Sequence, residues 1–294
     1  MKNFEYLAVR FLFFIFDHIS LRWGKRLALL MTFVAEKIIR YRRQVVLENL
    51  HRVYGEQLPK PRKQLLHEIY KNFVFLWMEV LQSSHLNKDN IRKIMRVHNP
   101  EILEEVAQRK QGYLFISGHF GNFEWLGQLL AIEKVAPITG IAKKQSNHKV
   151  NDFIVRLRER NGLKIVYTKQ AMQVAEEALK RNEIVAIAFD QDARKRGVFV
   201  DFLGIPSSTA VGTAVLHLRT GARIVLIVAV RRDYALFDVF LEEVRIPEPQ
   251  GDTEKDIVAI TQAYTLAFEK WVRRYPEQWL WMHKRWKTQP ENRN

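Results

Sequence analysis

Residues 113–125 read YLFISGHFGNFEW. The run YLFIS is short and apolar, the mark of a buried strand. Gly118 and Gly121 flank His119 and permit tight turns and close approach of a substrate. Asn122 suits the N-cap of a helix whose pattern continues through residue 133. The stretch is therefore a strand, a glycine loop bearing one imidazole, and a helix. In α/β sheets the carboxyl end of a strand faces the ligand crevice, so fold and candidate site are read from the same residues.

Working outward, the alternation repeats. Short apolar runs at 138–142, 164–167, 184–189 and 223–230 read as strands, with helical patterns at 101–109, 148–161, 171–181 and 209–220 between them. This predicts an α/β fold with a mixed, largely parallel sheet flanked by helices. Residues 237–241 fit an added antiparallel strand, and a last helix over 253–274 stops before Pro276. Upstream, Leu65, Leu66, Ile69, Phe73, Leu76, Trp77 and Val80 recur at helical spacing over 60–82, with Pro61 in the first turn.

The N-terminus has a different character. Residues 7–16 read LAVRFLFFIF, and a second apolar stretch covers 27–39. Arg10, Asp17, Glu36 and Lys37 interrupt them, whereas a spanning helix needs about 20 mostly apolar residues. No small-residue cleavage site follows, as a signal peptide would require. Five phenylalanines between Phe4 and Phe16, with Lys25, Arg26, Arg40, Arg42 and Arg43 behind them, make an apolar anchor plus a basic cluster. We expect membrane-associating helices over 1–45 and one catalytic-sized domain over 46–294. The plainer alternative is two ordinary core helices.

The whole chain has 294 residues, 47 basic against 32 acidic, a net charge of +15, 47% hydrophobic residues and a mean hydropathy of −0.22. Those values exclude a disordered chain and a polytopic membrane protein. Without cysteine there is no disulfide, thiolate metal site or cysteine nucleophile. The positive excess suits a polyanionic partner: nucleic acid, an anionic leaflet, a phosphorylated lipid or an acidic carrier protein.

Three constellations can carry chemistry. In the first, four residues separate His119 from Glu124, a spacing that can bring a carboxylate to the imidazole. A carboxylate on one ring nitrogen fixes the tautomer and lets the other nitrogen take a proton from an alcohol. The alternative is a structural histidine in a turn, with Glu124 capping the helix. The second is Phe189–Gly197, FDQDARKRG, again after an apolar run. Asp190 and Asp192 can bind Mg²⁺ or orient a basic neighbour, while Arg194, Lys195 and Arg196 suit a phosphate or an acidic sugar. A turn at 202–206 follows, and Ser207, Ser208 and Thr209 offer N-cap hydroxyls for the next helix. The third is PEQWLWMHKRWK at 276–287, whose interleaved Trp, Lys and Arg suit an interface between apolar tails and charged headgroups.

SGHFGNFEW (117–125), AFDQDARKRGVFVDFLGIPSSTA (188–210) and PEQWLWMHKRWK resemble, in order and spacing, blocks of the bacterial lipid A biosynthesis acyltransferases, the lauroyl/myristoyl transferases of the lysophospholipid acyltransferase superfamily. The likeness covers most of the chain, including the N-terminal anchor and the segment around Arg42, Arg43, Asn49 and Leu50. It implies transfer of a fatty acyl group from acyl carrier protein, or from acyl-CoA, to a hydroxyl of a lipid A precursor. It implies a cytoplasmic-face, inner-membrane location, with no cofactor, no metal and no nucleic-acid partner. By the same carry-over His119 is the general base and Glu124 its orienting carboxylate. Arg156 and Arg158 in SNHKVNDFIVRLRERNG (146–162) are implied to hold donor or oxyanion, with Arg158 preferred. Asp190 and Asp192 are wall and orienting residues, and Arg194, Lys195, Arg196 and Thr209 complete the substrate-binding set. Glycerolipid relatives usually carry Asp where this chain has Glu124, which favours the lipid A branch. Enzymes acylating mannosylated phosphatidylinositol keep similar blocks, so another glycolipid or a lysophospholipid is the alternative acceptor. Two rivals of other classes are a Mg²⁺-dependent phosphohydrolase using Asp190 and Asp192, and a non-enzymatic basic binder.

Overall fold

The computed structural model describes residues 2–167 and 170–290. Helices α1 (Lys2–His18) and α2 (Leu21–Phe33) lead into a π-helical stretch, Val34–Ile39, then α3 (Arg43–Tyr54), α4 (Arg62–Leu81) and the single turn α5 (Ile91–Ile94). There follow β1 (Met95–Val97), α6 (Pro100–Ala107), β2 (Tyr113–Ser117), α7 (Phe123–Ile132), β3 (Ile138–Ala142), α8 (His148–Glu159), β4 (Leu163–Tyr167), α9 (Ala171–Lys180) and β5 (Ile184–Ala188). The chain continues through β6 (Val198–Phe202), β7 (Ile205–Thr209), α10 (Gly212–Thr220), β8 (Arg223–Asp233), β9 (Leu236–Glu243) and α11 (Thr253–Arg274).

Seven of these strands form one sheet in the order β1-β9-β8-β2-β5-β3-β4. Every pairing in it is parallel except the β8–β9 hairpin. Alternation along β2 explains why the sheet must be covered twice. Leu114 and Ile116 enter one apolar cluster with α9–α11 and the C-terminal segment. Tyr113 and Phe115 enter the other, with α4, α7 and the N-terminal helices. The α/β expectation and the strand at 237–241 match this architecture. β1, three residues beside β9, is too short to leave a pattern.

Two expectations need correction. Ser207, Ser208 and Thr209 do not cap a helix: they lie in β7, paired antiparallel to β6, and α10 starts at Gly212 with Val211 as its N-cap. The two-residue link Leu203–Gly204 has positive φ at both positions, as a tight hairpin of this hand requires. The C-terminal tryptophans face no headgroups: Trp279, Trp281 and Trp286 are 2%, 0% and 3% exposed, within the first cluster. Among the described residues no helix is long and apolar enough to cross a membrane, in line with the charged residues that interrupt both N-terminal apolar stretches. The N-terminal helices pack through Phe16, Ala28 and Thr32. They nevertheless leave Leu7, Phe11, Phe14, Trp23, Leu30, Phe33, Ile38 and Ile39 exposed.

Candidate active site

Register builds the site. β2 and β5 run parallel with Ser117 opposite Ala188, and the Phe189 N–H donates to the Ser117 carbonyl. Two residues past each paired end stand His119 and Asp190, so the sheet delivers them side by side. The Asp190 carboxylate accepts from His119 Nδ1 at 2.6 Å through Oδ1 and from the His119 backbone N–H at 2.9 Å through Oδ2. The Trp279 indole Nε1–H donates to the same Oδ2 at 2.7 Å. Asp190 is buried and the imidazole about one-fifth exposed. Its ring lies against Phe123, and its Nε2 is 3.0 Å from the Gln191 amide nitrogen.

The electrostatics follow. Burial disfavours a charged imidazole, but the Asp190 carboxylate beside it outweighs burial and holds the His119 pKa above its ordinary value. Burial likewise opposes ionisation of Asp190, yet His119, the indole and the backbone N–H bring its pKa down to about 2. The pair is thus an ionised carboxylate on Nδ1, leaving Nε2 as the nitrogen that faces outward.

The carboxylate on the imidazole is therefore that of Asp190, where the sequence spacing pointed to Glu124. Glu124, in the first turn of α7, is instead gripped by Arg158 of α8 through two hydrogen bonds of 2.8 and 2.5 Å. Arg158 is mostly buried and paired; Arg156, two residues earlier and so on another side of α8, is exposed. Arg194, Lys195 and Arg196 form an exposed single turn just beyond Asp192. Thr209 is fully buried; its hydroxyl donates to the Ser207 carbonyl and accepts from Arg285, so it belongs to the wall and not to an open substrate surface. The carboxylates a Mg²⁺ site would need are occupied by donors: Asp190 as above, Asp192 by the Arg194 N–H and the Thr288 hydroxyl. Among the described residues no three His, Asp or Glu side chains are grouped to hold a metal ion.

The loop itself is braced from below. Asn122 caps α7 by accepting from the Trp125 N–H and donates to Glu79, which is fully buried and paired with Arg231. Gly121 has φ +54° and donates to the Gln278 carbonyl; a Cβ there would run into the Ala229 carbonyl oxygen. The C-terminal segment also supplies the Leu280 N–H to the His119 carbonyl. His283 Nε2 accepts from the Asp192 N–H, and burial lowers its pKa to about 4, keeping it a neutral acceptor. Residues 276–288 thus touch both site loops, a role their composition did not disclose. The one available signal was their Trp content, which marks buried packing as readily as an interface.

Sequence comparisons agree with this arrangement of blocks. The family model described as bacterial lipid A biosynthesis acyltransferase matches residues 5–288. The lipid A biosynthesis palmitoleoyltransferase of Escherichia coli K12 is 25% identical over 260 residues, 87% of this chain and 82% of that protein. The lauroyltransferase of the same organism is 25% identical over 264 residues, 88% and 83% respectively. The phosphatidylinositol mannoside acyltransferase of Mycobacterium tuberculosis H37Rv is 25% identical over 248 residues, 81% and 75%. With the match running through the His119 loop, the Asp190 loop and the C-terminal brace, this chain belongs to the bacterial lipid A biosynthesis acyltransferase family and is an acyltransferase.

Proposed function

We propose that the protein moves a fatty acyl group from an acyl carrier protein thioester to a hydroxyl of a lipid A precursor, working peripherally at the cytoplasmic face of the inner membrane. The observation that carries the chemistry is the Asp190–His119 pair with Nε2 turned outward. Gln191 vacates Nε2 when the acceptor enters. Nε2 then takes the hydroxyl proton, and the alkoxide oxygen attacks the thioester carbonyl. The tetrahedral oxyanion collapses, the C–S bond breaks, and the carrier thiolate recovers the proton from the imidazolium. Atoms balance without an acyl-enzyme, and no cofactor is consumed.

In this reading Asp190 fixes the tautomer and stabilises the imidazolium, and Glu124 acts one step out by holding Arg158. That pair places a guanidinium near the imidazole, where it can favour the developing oxyanion. Arg194, Lys195 and Arg196, with Arg156, offer exposed cations to acidic acceptor headgroups and to an acidic carrier. The exposed apolar side chains of residues 7–39, beside Arg26, Arg40 and Arg42, support peripheral seating on an anionic leaflet, with residues 1–45 as the seating element and 46–294 as the acyltransferase domain. The relatives named for phosphatidylinositol mannoside favour one second reading, transfer to another glycolipid.

One assay separates these. Purified protein is incubated with acyl carrier protein thioesters or acyl-CoA, and with a lipid A precursor, a mannosylated phosphatidylinositol or a lysophospholipid, and the products are weighed by mass spectrometry. A precursor heavier by one acyl group, formed from the carrier thioester, is the expected result. Exclusive acylation of one of the other lipids would overturn the acceptor assignment.

A further inference from the structure

We infer that Trp279 is a positioning residue for acyl transfer, the outermost member of a Trp279–Asp190–His119 chain; this rests on the reading of His119 as base. A buried indole N–H needs an acceptor in any fold. What sets this one apart is which acceptor it has. The indole donates at 2.7 Å to Oδ2 of the carboxylate whose other oxygen holds His119 Nδ1 at 2.6 Å.

The division of labour between the oxygens matters. Oδ2 takes two donors, the indole and the His119 backbone N–H, while Oδ1 has the imidazole. Swinging the carboxylate would break both bonds at Oδ2, so Oδ1 stays aimed at the ring. An indole cannot accept a proton and cannot leave its donor role, unlike a hydroxyl or an imidazole. It also draws charge from the carboxylate, which tempers how strongly Asp190 raises the basicity of His119.

The indole is itself closely packed. It is 2% exposed and packs edge-on to Trp281 at 4.8 Å and Phe202 at 5.3 Å, with Trp286 at 5.8 Å. Its backbone bridges Phe120, and the next N–H, of Leu280, donates to the His119 carbonyl. One short segment of the C-terminal tail therefore fixes the imidazole's main chain and its carboxylate together. That gives the Trp-rich tail a function its buried position denies it at a membrane.

The test uses two variants of the full-length protein, Trp279→Phe and site-specific replacement of Trp279 by 3-benzothienylalanine, which keeps the ring shape and loses only the N–H. Folding is checked by thermal melting, turnover by kcat and KM with the carrier thioester and lipid A precursor, and the His119 ring by ¹⁵N-detected titration. We expect both variants to lose about tenfold in kcat, the size of one charge-assisted hydrogen bond, with KM within about twofold. We expect the His119 titration to move to higher pH, because Asp190 without the indole is the stronger partner. Wild-type kcat and an unmoved titration in the benzothienyl protein would sink the proposal, whatever Trp279→Phe does to folding. If His119→Ala stays active while the titration still shifts, the base assignment fails and the coupling of Trp279 to His119 survives.

Discussion

Asp190→Asn is the sharpest probe of the site, because the change is isosteric and the consequences can be worked out donor by donor. Asp190 meets three N–H groups: the imidazole on Oδ1, and the His119 backbone and Trp279 indole on Oδ2. An amide has one acceptor oxygen. The two donors on the Oδ2 side retain it, so the NH₂ turns to the imidazole. Nδ1 must then accept, the ring proton moves to Nε2, and the nitrogen needed as base carries no lone pair. A wrong tautomer in an otherwise intact His–carboxylate site costs about 10³–10⁴ in kcat. The pH dependence adds an independent reading. In the native protein Asp190 overcomes burial and raises the His119 pKa, so kcat/KM, which needs neutral His119, should rise with pH through a value above the ordinary 6.5. In Asp190→Asn the main raising influence is gone, burial dominates over the opposed charges of Glu124 and Arg158, and that limb should move to lower pH, on a far lower plateau. The stability sign is separate. A carboxyl held at about 2 against 3.8 contributes on the order of 2 kcal/mol above pH 4, lost as pH falls toward 2. His119 contributes fully below about 6.5 and less as pH rises through its raised value. The assay is acyl transfer from carrier thioester between pH 5 and 9, with acid melts alongside. If Asp190→Asn keeps turnover within tenfold while Glu124→Gln loses a thousandfold, Glu124 is the partner and the reasoning from register fails.

Glu124→Gln should cut kcat about 10–100-fold and cost about 1–3 kcal/mol, by freeing a partly buried guanidinium. The double variant with Arg158→Gln should be no worse than either single one in activity assays and melts, since both remove the same pair; additive losses would refute that coupling. Gly121→Ala puts a methyl group on the Ala229 carbonyl at φ +54°, and should cost about 2–4 kcal/mol in denaturant unfolding. Replacing Phe11 and Phe14 together by Ser should weaken sedimentation with anionic vesicles at least about tenfold, with turnover on detergent-dispersed lipid unchanged; undiminished vesicle binding would count against seating through α1.

What could be read from the chain, and what could not, divides along one physical line. A buried strand, a glycine loop and a capped helix are written in neighbouring residues, so 113–125 disclosed its own structure and the histidine worth testing. The histidine's partner is 71 positions away, and only the pairing of Ser117 with Ala188 brings it in. Local reasoning was bound to prefer Glu124, which lies within reach by count but points along α7 to a guanidinium on α8. Leu203 at positive φ, a residue with no turn preference, hid the β6–β7 hairpin and made Thr209 look like a helix cap. The tail misled for a related reason. Alternating Trp and cations fit a headgroup interface, yet Arg285 is buried on the Ser208 carbonyl and the Thr209 hydroxyl, and burial brings its pKa down to about 10. Its charge is spent inside the protein. Near the chemistry, the Arg194–Arg196 turn, four to six residues beyond the carboxylate bonded to His119, presents exposed cations toward which an acidic acceptor can be drawn. On the proposed reading, the loop after β5 thus serves proton transfer at Asp190, its second residue, and headgroup recognition at its end. Acceptor charge should then act on kcat as well as on KM.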